Sequence, residues 1–232
     1  MNGKTWAIFI IIVVAVIGGM VYIATQNRLD VSNIGTEAAA KSLPAEERNG
    51  NIADHTFGST APKITIVEYG DYQCPGCRTT APEVKRLTDK YKEHVQLIFR
   101  NFPIASLHPN ARAAAAVAEA AGKQGKFWEM HDLLYTNQEA WGAAQLKDRT
   151  ELFIGYAQQL GLNMDEFDRD VASDAVNKKI SFDTAVGRLQ QVDATPTLIL
   201  NGEKLKLEDA DGMEKAIRDA LTKAGVTLPT EQ

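Results

Sequence analysis

Both cysteines of this 232-residue chain lie in one short motif, Cys74-Pro75-Gly76-Cys77. The motif follows an apolar run typical of a β-strand and precedes a run typical of a helix. Proline is favoured at the first position of a helix, where its missing N–H group removes no helical hydrogen bond. The sequence therefore predicts a strand, a turn that carries Cys74, and a helix that begins at Pro75.

This placement predicts a reactive thiol. A helix N-terminus carries unpaired N–H groups and roughly half a positive charge, which favours the thiolate and lowers the pKa of Cys74. Cys77 lies one helical turn further on, where we expect it to be more buried. The spacing lets the two sulfurs meet in a small ring, and such a pair can cycle between dithiol and disulfide.

Two other interpretations of the motif remain open at this point. A purely structural disulfide would close a very short loop and would add little stability, because the entropic gain grows with loop length. A zinc site would need a second pair of ligands, but there is no third cysteine and the four histidines show no paired ligand spacing. We therefore expect no metal and no cofactor.

Length and composition limit what can surround this site. A chain of 232 residues accommodates one ordinary domain and an attachment, and 44% apolar residues can build a core. The net charge of -5 argues against general nucleic-acid binding.

The N-terminus reads as a membrane anchor over residues 1–24. Residues 6–24 carry no charged side chain, and at about 1.5 Å per helical residue they just span a hydrocarbon core of roughly 30 Å. A cleaved signal peptide is the alternative, but the small residues at 38–40 lie too far downstream for its cleavage site.

The charges that flank this segment predict its orientation. Lys4 precedes it, whereas Arg28 and Asp30 follow it, which places the N-terminus inside and the main domain on the extracytoplasmic side of the cell membrane. A domain there meets oxidising conditions, in which a disulfide-exchanging protein has substrates.

Residues 25–51 are mostly polar and predict a flexible linker. Residues 52–232 then form the globular domain. A strand at 63–69, a helix at 75–91 and a strand at 95–100 predict a βαβ unit with parallel strands and a site at a strand's carboxyl end.

The second half of the domain begins with a long alanine-rich block, at about 109–189, that favours helices and lacks any strand pattern. Strand character returns at 196–200, the Asn201-Gly202 pair predicts a tight hairpin, and a strand resumes at 204–207. A final amphipathic helix is expected at 211–223. The block at 109–189 therefore reads as a helical insertion between two strand-containing parts.

Three separated segments resemble DsbA-like thiol:disulfide oxidoreductases. They are Tyr-Gly-Asp-Tyr-Gln-Cys-Pro-Gly-Cys at 69–77, Phe-Trp-Glu-Met-His-Asp-Leu-Leu-Tyr at 127–135, and Asp-Ala-Thr-Pro-Thr at 193–197. The resemblance implies an α/β, thioredoxin-like fold with an inserted helical domain. The uncharged N-terminal run predicts that one transmembrane helix precedes this fold.

The resemblance also implies roles for individual residues. Cys74 corresponds to the exposed cysteine that forms a mixed disulfide with substrate, and Cys77 to its buried partner. Pro196 corresponds to a cis-proline that faces the site, and Thr195 would present backbone groups to an extended substrate segment. Glu68 corresponds to an acidic residue near the buried cysteine, where burial would raise its pKa.

Several points stay open. Glu68 could instead face solvent on its strand. Pro75 and Gly76 lie between the cysteines and support the site. Some strongly oxidising relatives have a histidine in this dipeptide, and this chain does not, so the oxidising strength is undetermined. His131 and Asp132 could form a dyad, yet their position in an amphipathic helix without an adjacent nucleophile favours packing and hydrogen bonding.

Three functions follow from these observations. The first is a membrane-anchored oxidase that forms disulfides in exported cysteine-containing proteins and is reoxidised by a membrane redox partner. The second is a reductase or isomerase on the same fold. The third is a redox-silent chaperone or peptide-binding module.

Overall fold

The computed structural model describes residues 3–26, 29, 31, 33–206 and 210–228. The chain divides into two units, Met1–Asp30 and Val31–Gln232. Helix α1, Gly3–Gln26, belongs to the first unit and contains the uncharged stretch 6–24 of the predicted anchor; residues 1 and 2 lie outside the described residues. Within the described part of the chain, no helix meets the combined length and apolar content of a membrane span. The predicted flanking charges Arg28 and Asp30 lie outside the described residues.

The second unit contains five strands, nine α-helices and one short 3-10 helix among its described residues. In chain order these are α2 Thr36–Ala39, the 3-10 helix Glu47–Asn49, β1 His55–Gly58, β2 Ile64–Gly70, α3 Pro75–Lys90, β3 Val95–Asn101, α4 Ala111–Lys123, α5 Phe127–Thr136, α6 Gln138–Gly142, α7 Leu146–Gln159, α8 Met164–Val171, α9 Asp174–Leu189, β4 Thr197–Leu200, β5 Glu203–Lys204 and α10 Ala210–Lys223.

The strands form one mixed sheet in the order β1-β3-β2-β4-β5. Strands β2 and β3 are parallel and are joined by α3, which confirms the predicted βαβ unit. The other three pairings are antiparallel. Strand β1 was not expected, because its four residues are too few to show a strand pattern in the sequence.

Alternation along β2 decides which side chains meet α3. Ile64 and Ile66 pack in one hydrophobic cluster with Val84 and Leu87 of α3. Since successive strand residues point to opposite faces, Glu68 lies on this same face, toward the start of α3. Helix α3 also buries Cys77 on its sheet-facing side.

Helices α4 to α9 lie between β3 and β4, and the described residues of this stretch contain no strand. These helices coincide with the stretch at 109–189 that was expected to be helical. Its small side chains let the helices pack closely around aromatic residues such as Trp141, and Ala81 and Cys77 of α3 belong to the same cluster. The inserted helices therefore pack directly on the helix that carries the cysteine motif.

The hairpin between β4 and β5 has the predicted turn. Asn201 and Gly202 have φ values of 48° and 91°, and both residues of a two-residue type I′ turn require positive φ. The strand expected at 204–207 is observed only as Glu203–Lys204, and Leu207 lies outside the described residues. Helix α10 confirms the final helix expected at 211–223.

The segment expected to be a flexible linker differs from that expectation from residue 31 onward. Val31, Ile34 and Ala39 are buried in the second unit. The buried Arg100 of β3 donates hydrogen bonds to the backbone carbonyl oxygens of Ala39 and Lys41. A buried guanidinium needs such acceptors, and this requirement holds residues of the expected linker against the sheet.

Arg100 belongs to a network of buried charges behind the sheet. Its guanidinium pairs with Asp54 at 2.6 Å, and the Lys179 ammonium lies 2.7 Å from carboxylate oxygens of both Asp54 and Asp183. All four side chains are fully buried. The network joins the N-terminal segment, β3 and α9.

Candidate active site

Cys74 is the N-terminal cap of α3, and Pro75 occupies the first helical position, as predicted. The backbone of Cys74 is extended, with φ -72° and ψ 123°. The exposed side chain expected at Cys74 is instead largely covered, because the residue is 9% exposed; Cys77 is 0% exposed, as expected for the buried partner. Both are free thiols.

The pKa of Cys74 is lowered to about 5, first because the Cys77 side chain donates a hydrogen bond to its sulfur. The backbone N–H groups of Cys77 and Gly76 and the Thr195 hydroxyl lower it further, while partial burial opposes them. The N–H groups are those of the first helical turn, so the predicted effect of the helix start is present. The buried thiol is nevertheless the larger cause.

The pKa of Cys77 is raised far above its ordinary value, first by burial and then by the hydrogen bond that its thiol donates to Cys74. The negative charge of Glu68 acts in the same direction. The backbone N–H of Asp71 donates to the Cys77 sulfur at 3.4 Å. The two sulfurs are therefore unlike: one is anionic at neutral pH and the other keeps its proton.

Thr195 and Pro196 close the site from the other end of the domain. The peptide bond between them is cis. The Cys74 thiol donates to the backbone oxygen of Thr195 at 3.3 Å. A Cβ atom at Gly76 would lie 3.2 Å from Cδ of Pro196 and 3.7 Å from the Cys74 sulfur, so glycine permits the close approach of helix and proline.

The Thr195 hydroxyl responds to the ionisation state of Cys74. Its oxygen is buried and has no hydrogen-bond partner among the described residues, yet it lowers the pKa of Cys74. The geometry here has Cys74 donating to the backbone instead, and a hydroxyl that rotates can donate to the sulfur once the thiol has ionised. Thr195 therefore offers an acceptor to the thiol and a donor to the thiolate.

Glu68 is fully buried, and neither of its carboxyl oxygens has a hydrogen-bond partner among the described residues. Burial raises the pKa of Glu68 to about 8. The solvent-facing alternative is therefore excluded. At neutral pH the side chain is therefore a neutral carboxylic acid, and its ionised form lies close enough to Cys77 to raise the pKa of that thiol.

Four polar residues that sequence reasoning did not select hold the loop before α3. Gln138 of α6 donates to the backbone oxygens of Tyr72 and Cys74 at 2.8 and 2.9 Å. Gln73 donates to Gly142 O and accepts from the backbone N–H of Asn110. Asp71 accepts from the backbone N–H groups of Gln73 and Ile104, each at 2.8 Å.

The helical insertion thus positions the cysteine loop. Asp71 and Gln73 flank the motif in sequence and could have been considered for that reason. The Gln138 and Asn110 contacts leave no local signal, because their partners are tens of residues away. Among the described residues, no group of three His, Cys, Asp or Glu side chains is placed to hold a metal ion.

A family model described as thioredoxin matches residues 50–219 of this chain. The chain belongs to the thioredoxin family. The thioredoxin-like fold expected from the sequence is therefore shown, with a mixed five-stranded sheet and the cysteine motif at the start of α3.

Solved structures of this fold are similar over most of the chain. A thioredoxin-like oxidoreductase from Silicibacter pomeroyi has a TM-score of 0.60 and 25% identity, covering 78% of this chain and 97% of that one. The thiol-disulfide exchange protein alpha-DsbA2 from Wolbachia pipientis has a TM-score of 0.62 and 21% identity, covering 72% and 86%.

A curated relative carries a different name. The Na(+)/H(+) antiporter NhaA 1 of Salinispora arenicola is 38% identical over 151 residues, which is 65% of this thioredoxin-family chain and 22% of the antiporter. The chain thus matches about a fifth of that relative's length, and the name describes the longer protein.

Proposed function

We propose that this protein is a thiol:disulfide oxidoreductase that forms disulfides in exported cysteine-containing proteins. The observation that carries the proposal is the unequal pair of sulfurs, with the pKa of Cys74 lowered to about 5 beside a buried Cys77 whose pKa is raised. A stabilised thiolate is a good leaving group, which favours transfer of the disulfide to substrate. The DsbA-like structural neighbours support the same chemistry.

The reaction begins with a substrate thiolate that attacks the Cys74 sulfur of the oxidised protein. The bond between the cysteine sulfurs breaks, Cys77 leaves with the electron pair, and a mixed disulfide joins Cys74 to the substrate. A second substrate thiolate then attacks the substrate sulfur and displaces Cys74 as a thiolate. The substrate gains one disulfide and the protein is left as a dithiol, which a membrane redox partner reoxidises.

The N-terminal segment would hold this domain at the extracytoplasmic face of the cell membrane. Residues 6–24 lack charged side chains, and a helix of this length suits a hydrocarbon core of roughly 30 Å. Resistance of the full chain to carbonate extraction, and digestion of its domain by protease added to right-side-out vesicles, test the anchor and its orientation. Extraction into the carbonate supernatant would contradict the anchor.

The first experiment separates redox activity from peptide binding. Cys74→Ser and Cys77→Ser are compared with the native chain in oxidising a reduced cysteine-containing test protein such as ribonuclease A. Both variants should lose oxidation. Cys77→Ser keeps the attacked sulfur, so when Cys74 is first converted to its mixed disulfide with glutathione, a thiolate of the test protein should displace glutathione and form a mixed disulfide with Cys74; Cys74→Ser cannot form it. Activity that survives in Cys74→Ser would favour the chaperone or peptide-binding alternative.

The second experiment gives the direction of the reaction. The reduction potential of the Cys74/Cys77 couple is measured by equilibration in glutathione buffers. A value of about -120 mV identifies an oxidase, whereas about -270 mV identifies a reductase.

A further inference from the structure

A group of buried polar side chains near the cysteine pair carries atoms that lack a hydrogen-bond partner in the described part of the chain. Both carboxyl oxygens of Glu68, the hydroxyls of Tyr72 and Tyr135, and Nε2 of His131 have no hydrogen-bond partner among the described residues. Each of these residues is at most 2% exposed. Unpaired buried polar groups are costly unless ordered water satisfies them. The presence of several such unpaired polar atoms in one place therefore indicates a site that holds ordered water.

The side chains of this group are in contact with one another. The ring centroids of Tyr72 and Tyr135 are 5.0 Å apart, and that of His131 lies 4.9 Å from Tyr135 and 5.7 Å from Tyr72. The motif segment contributes Tyr72, whereas α5 contributes the other two. The group thus bridges the cysteine loop and the helical insertion.

The inner end of the group reaches the buried cysteine. A Cβ atom built at Gly70 would lie 3.0 Å from the Tyr135 hydroxyl, and the next residue, Asp71, donates its backbone N–H to the Cys77 sulfur. The pKa of Tyr135 is raised first by burial, then by the charges of Cys77 and Glu68. Tyr135 therefore lies within electrostatic range of both Cys77 and Glu68.

The outer end reaches solvent. His131 and Tyr135 line a surface pocket of about 630 Å³ together with Asp132 and Lys85. Nδ1 of His131 lies 3.2 Å from Oδ1 of Asp132. A carboxylate only accepts hydrogen bonds, so we assign the ring hydrogen to Nδ1. In this neutral tautomer the buried Nε2 carries no hydrogen and can accept one.

The ring is neutral because of where it lies. Burial lowers the pKa of His131, and Lys85 of α3 and His55 of β1 act in the same direction, while Asp132 opposes them. Asp132 is half-exposed and pairs with Lys85. Asp132 therefore links the ring to the pocket's solvent.

We propose that Tyr72, Tyr135 and His131, with ordered water between them, form a proton path from the Glu68–Cys77 pair to this pocket. The inference rests on the proposed function. When Cys77 leaves as a thiolate, Glu68 gives it a proton, and the path returns one proton to the Glu68 carboxylate. When Cys77 is reoxidised, one proton travels outward by the same route.

The histidine tautomer balances these steps. In the dithiol form seen here, the bare Nε2 accepts the outgoing proton while Nδ1 passes its own proton to Asp132 and solvent. The ring is then protonated at Nε2, from which the next incoming proton is donated. One proton enters and one leaves in each cycle, and the ring alternates between its two neutral forms.

Tyr135→Phe tests the path because it removes only the hydroxyl. The oxidised full chain is reduced by dithiothreitol in rapid-quench single turnovers between pH 6 and 9, in H₂O and D₂O. Loss of a positioned proton donor should slow the variant about tenfold or more at neutral pH and should change its pH profile and solvent isotope effect. Its urea midpoint should be unchanged or higher, since no protein hydrogen bond is lost. Tyr156→Phe, on α7 outside the group, is the matched control.

The Glu68→Gln background separates a proton path from a structural effect. If Tyr135 acts through Glu68, then Tyr135→Phe slows the native chain but adds nothing when Glu68 is already glutamine. The proton path is overturned if the rate losses of Tyr135→Phe and Glu68→Gln multiply in the double variant. It is also overturned if Tyr135→Phe keeps the native pH profile and isotope effect. Neither result would contradict the proposed oxidoreductase activity. A native chain that exchanges no disulfide would overturn both.

Discussion

Replacing Glu68 with glutamine should stabilise the reduced protein by an amount that grows with pH. The native carboxyl is fully buried without a protein partner, and burial raises its pKa from 4.5 to about 8. Ionisation of Glu68 is therefore easier in the unfolded chain than in the folded one. Glutamine has a similar shape and cannot ionise, so the variant removes this dependence.

The sign and size follow from proton linkage. Below pH 4.5 the carboxyl is protonated in both states, and the native chain has no penalty. Between pH 4.5 and about 8 only the unfolded chain ionises, which lowers the free energy of unfolding by about 1.4 kcal/mol per pH unit. The penalty is therefore about 3 kcal/mol at pH 7 and levels off near about 5 kcal/mol above pH 8.

Urea unfolding of the reduced full chain and of Glu68→Gln, followed by circular dichroism from pH 4.5 to 9, measures this difference. A constant offset from the new amide does not affect the slope. Glu83→Gln is the control: hydrogen bonding to Arg86 lowers the pKa of Glu83, so its contribution is present above pH 4.5 and is lost on acidification. The difference in the free energy of unfolding between Glu68→Gln and the native chain should grow with pH. If it is constant from pH 5 to 8, Glu68 is not held protonated in the folded chain and the reasoning is refuted.

Two further perturbations test other parts of the structure. Cys77→Ala should raise the pKa of Cys74 from about 5 toward its ordinary value, since the Cys77 hydrogen bond is the largest cause of the lowering. The pH dependence of iodoacetamide alkylation measures this pKa. A midpoint that stays near 5 would contradict the assigned cause. Lys179→Met should lower the free energy of unfolding in urea by about 3–5 kcal/mol, because it removes the cation paired with buried Asp183 and leaves buried Asp54 with Arg100 alone. Lys215→Met, which breaks an exposed pair one helical turn apart, should cost less than about 1 kcal/mol, and equal losses in the two variants would contradict the role of the buried network.

The local chemistry of the site could be predicted from sequence because it depends on neighbours in the chain. Pro75 marks the helix start, and the spacing of the cysteines places one at the cap and the other on the buried face. The alternation of β2 makes burial of Glu68 one of two possible outcomes, and only the packing of α3 decides between them. The βαβ unit, the helical block and the Asn201-Gly202 hairpin were predictable for the same reason.

The remaining features depend on contacts between distant residues. Arg100 is visible in the sequence as a charge within an apolar strand, but its partners Asp54 and the backbone of Ala39 lie 46 and 61 residues away. Tyr135 and His131 lie on a helix whose amphipathic pattern is accounted for by packing alone. Only the folded arrangement shows that both rings contact Tyr72 and that the Tyr135 hydroxyl and His131 Nε2 are buried without a hydrogen-bond partner among the described residues.

The main cause of the lowered pKa of Cys74 could likewise be identified only from the folded structure. The helix start is a feature that sequence can indicate, and its N–H groups do contribute. The larger cause is a thiol held at the right place and kept protonated by its own burial. Reactivity of one sulfur is thus set by the inertness of the other.

The hold of Arg100 on residues 39 and 41 has a practical consequence for anyone who excises this domain. A fragment that starts at residue 52 would leave the Arg100 guanidinium N–H groups without the two carbonyl oxygens that accept their hydrogen bonds in the full chain. It would also discard Val31, Ile34 and the other apolar side chains buried ahead of the sheet. A cut placed before residue 31 keeps this brace, and limited proteolysis of the native chain should spare the 31–51 stretch.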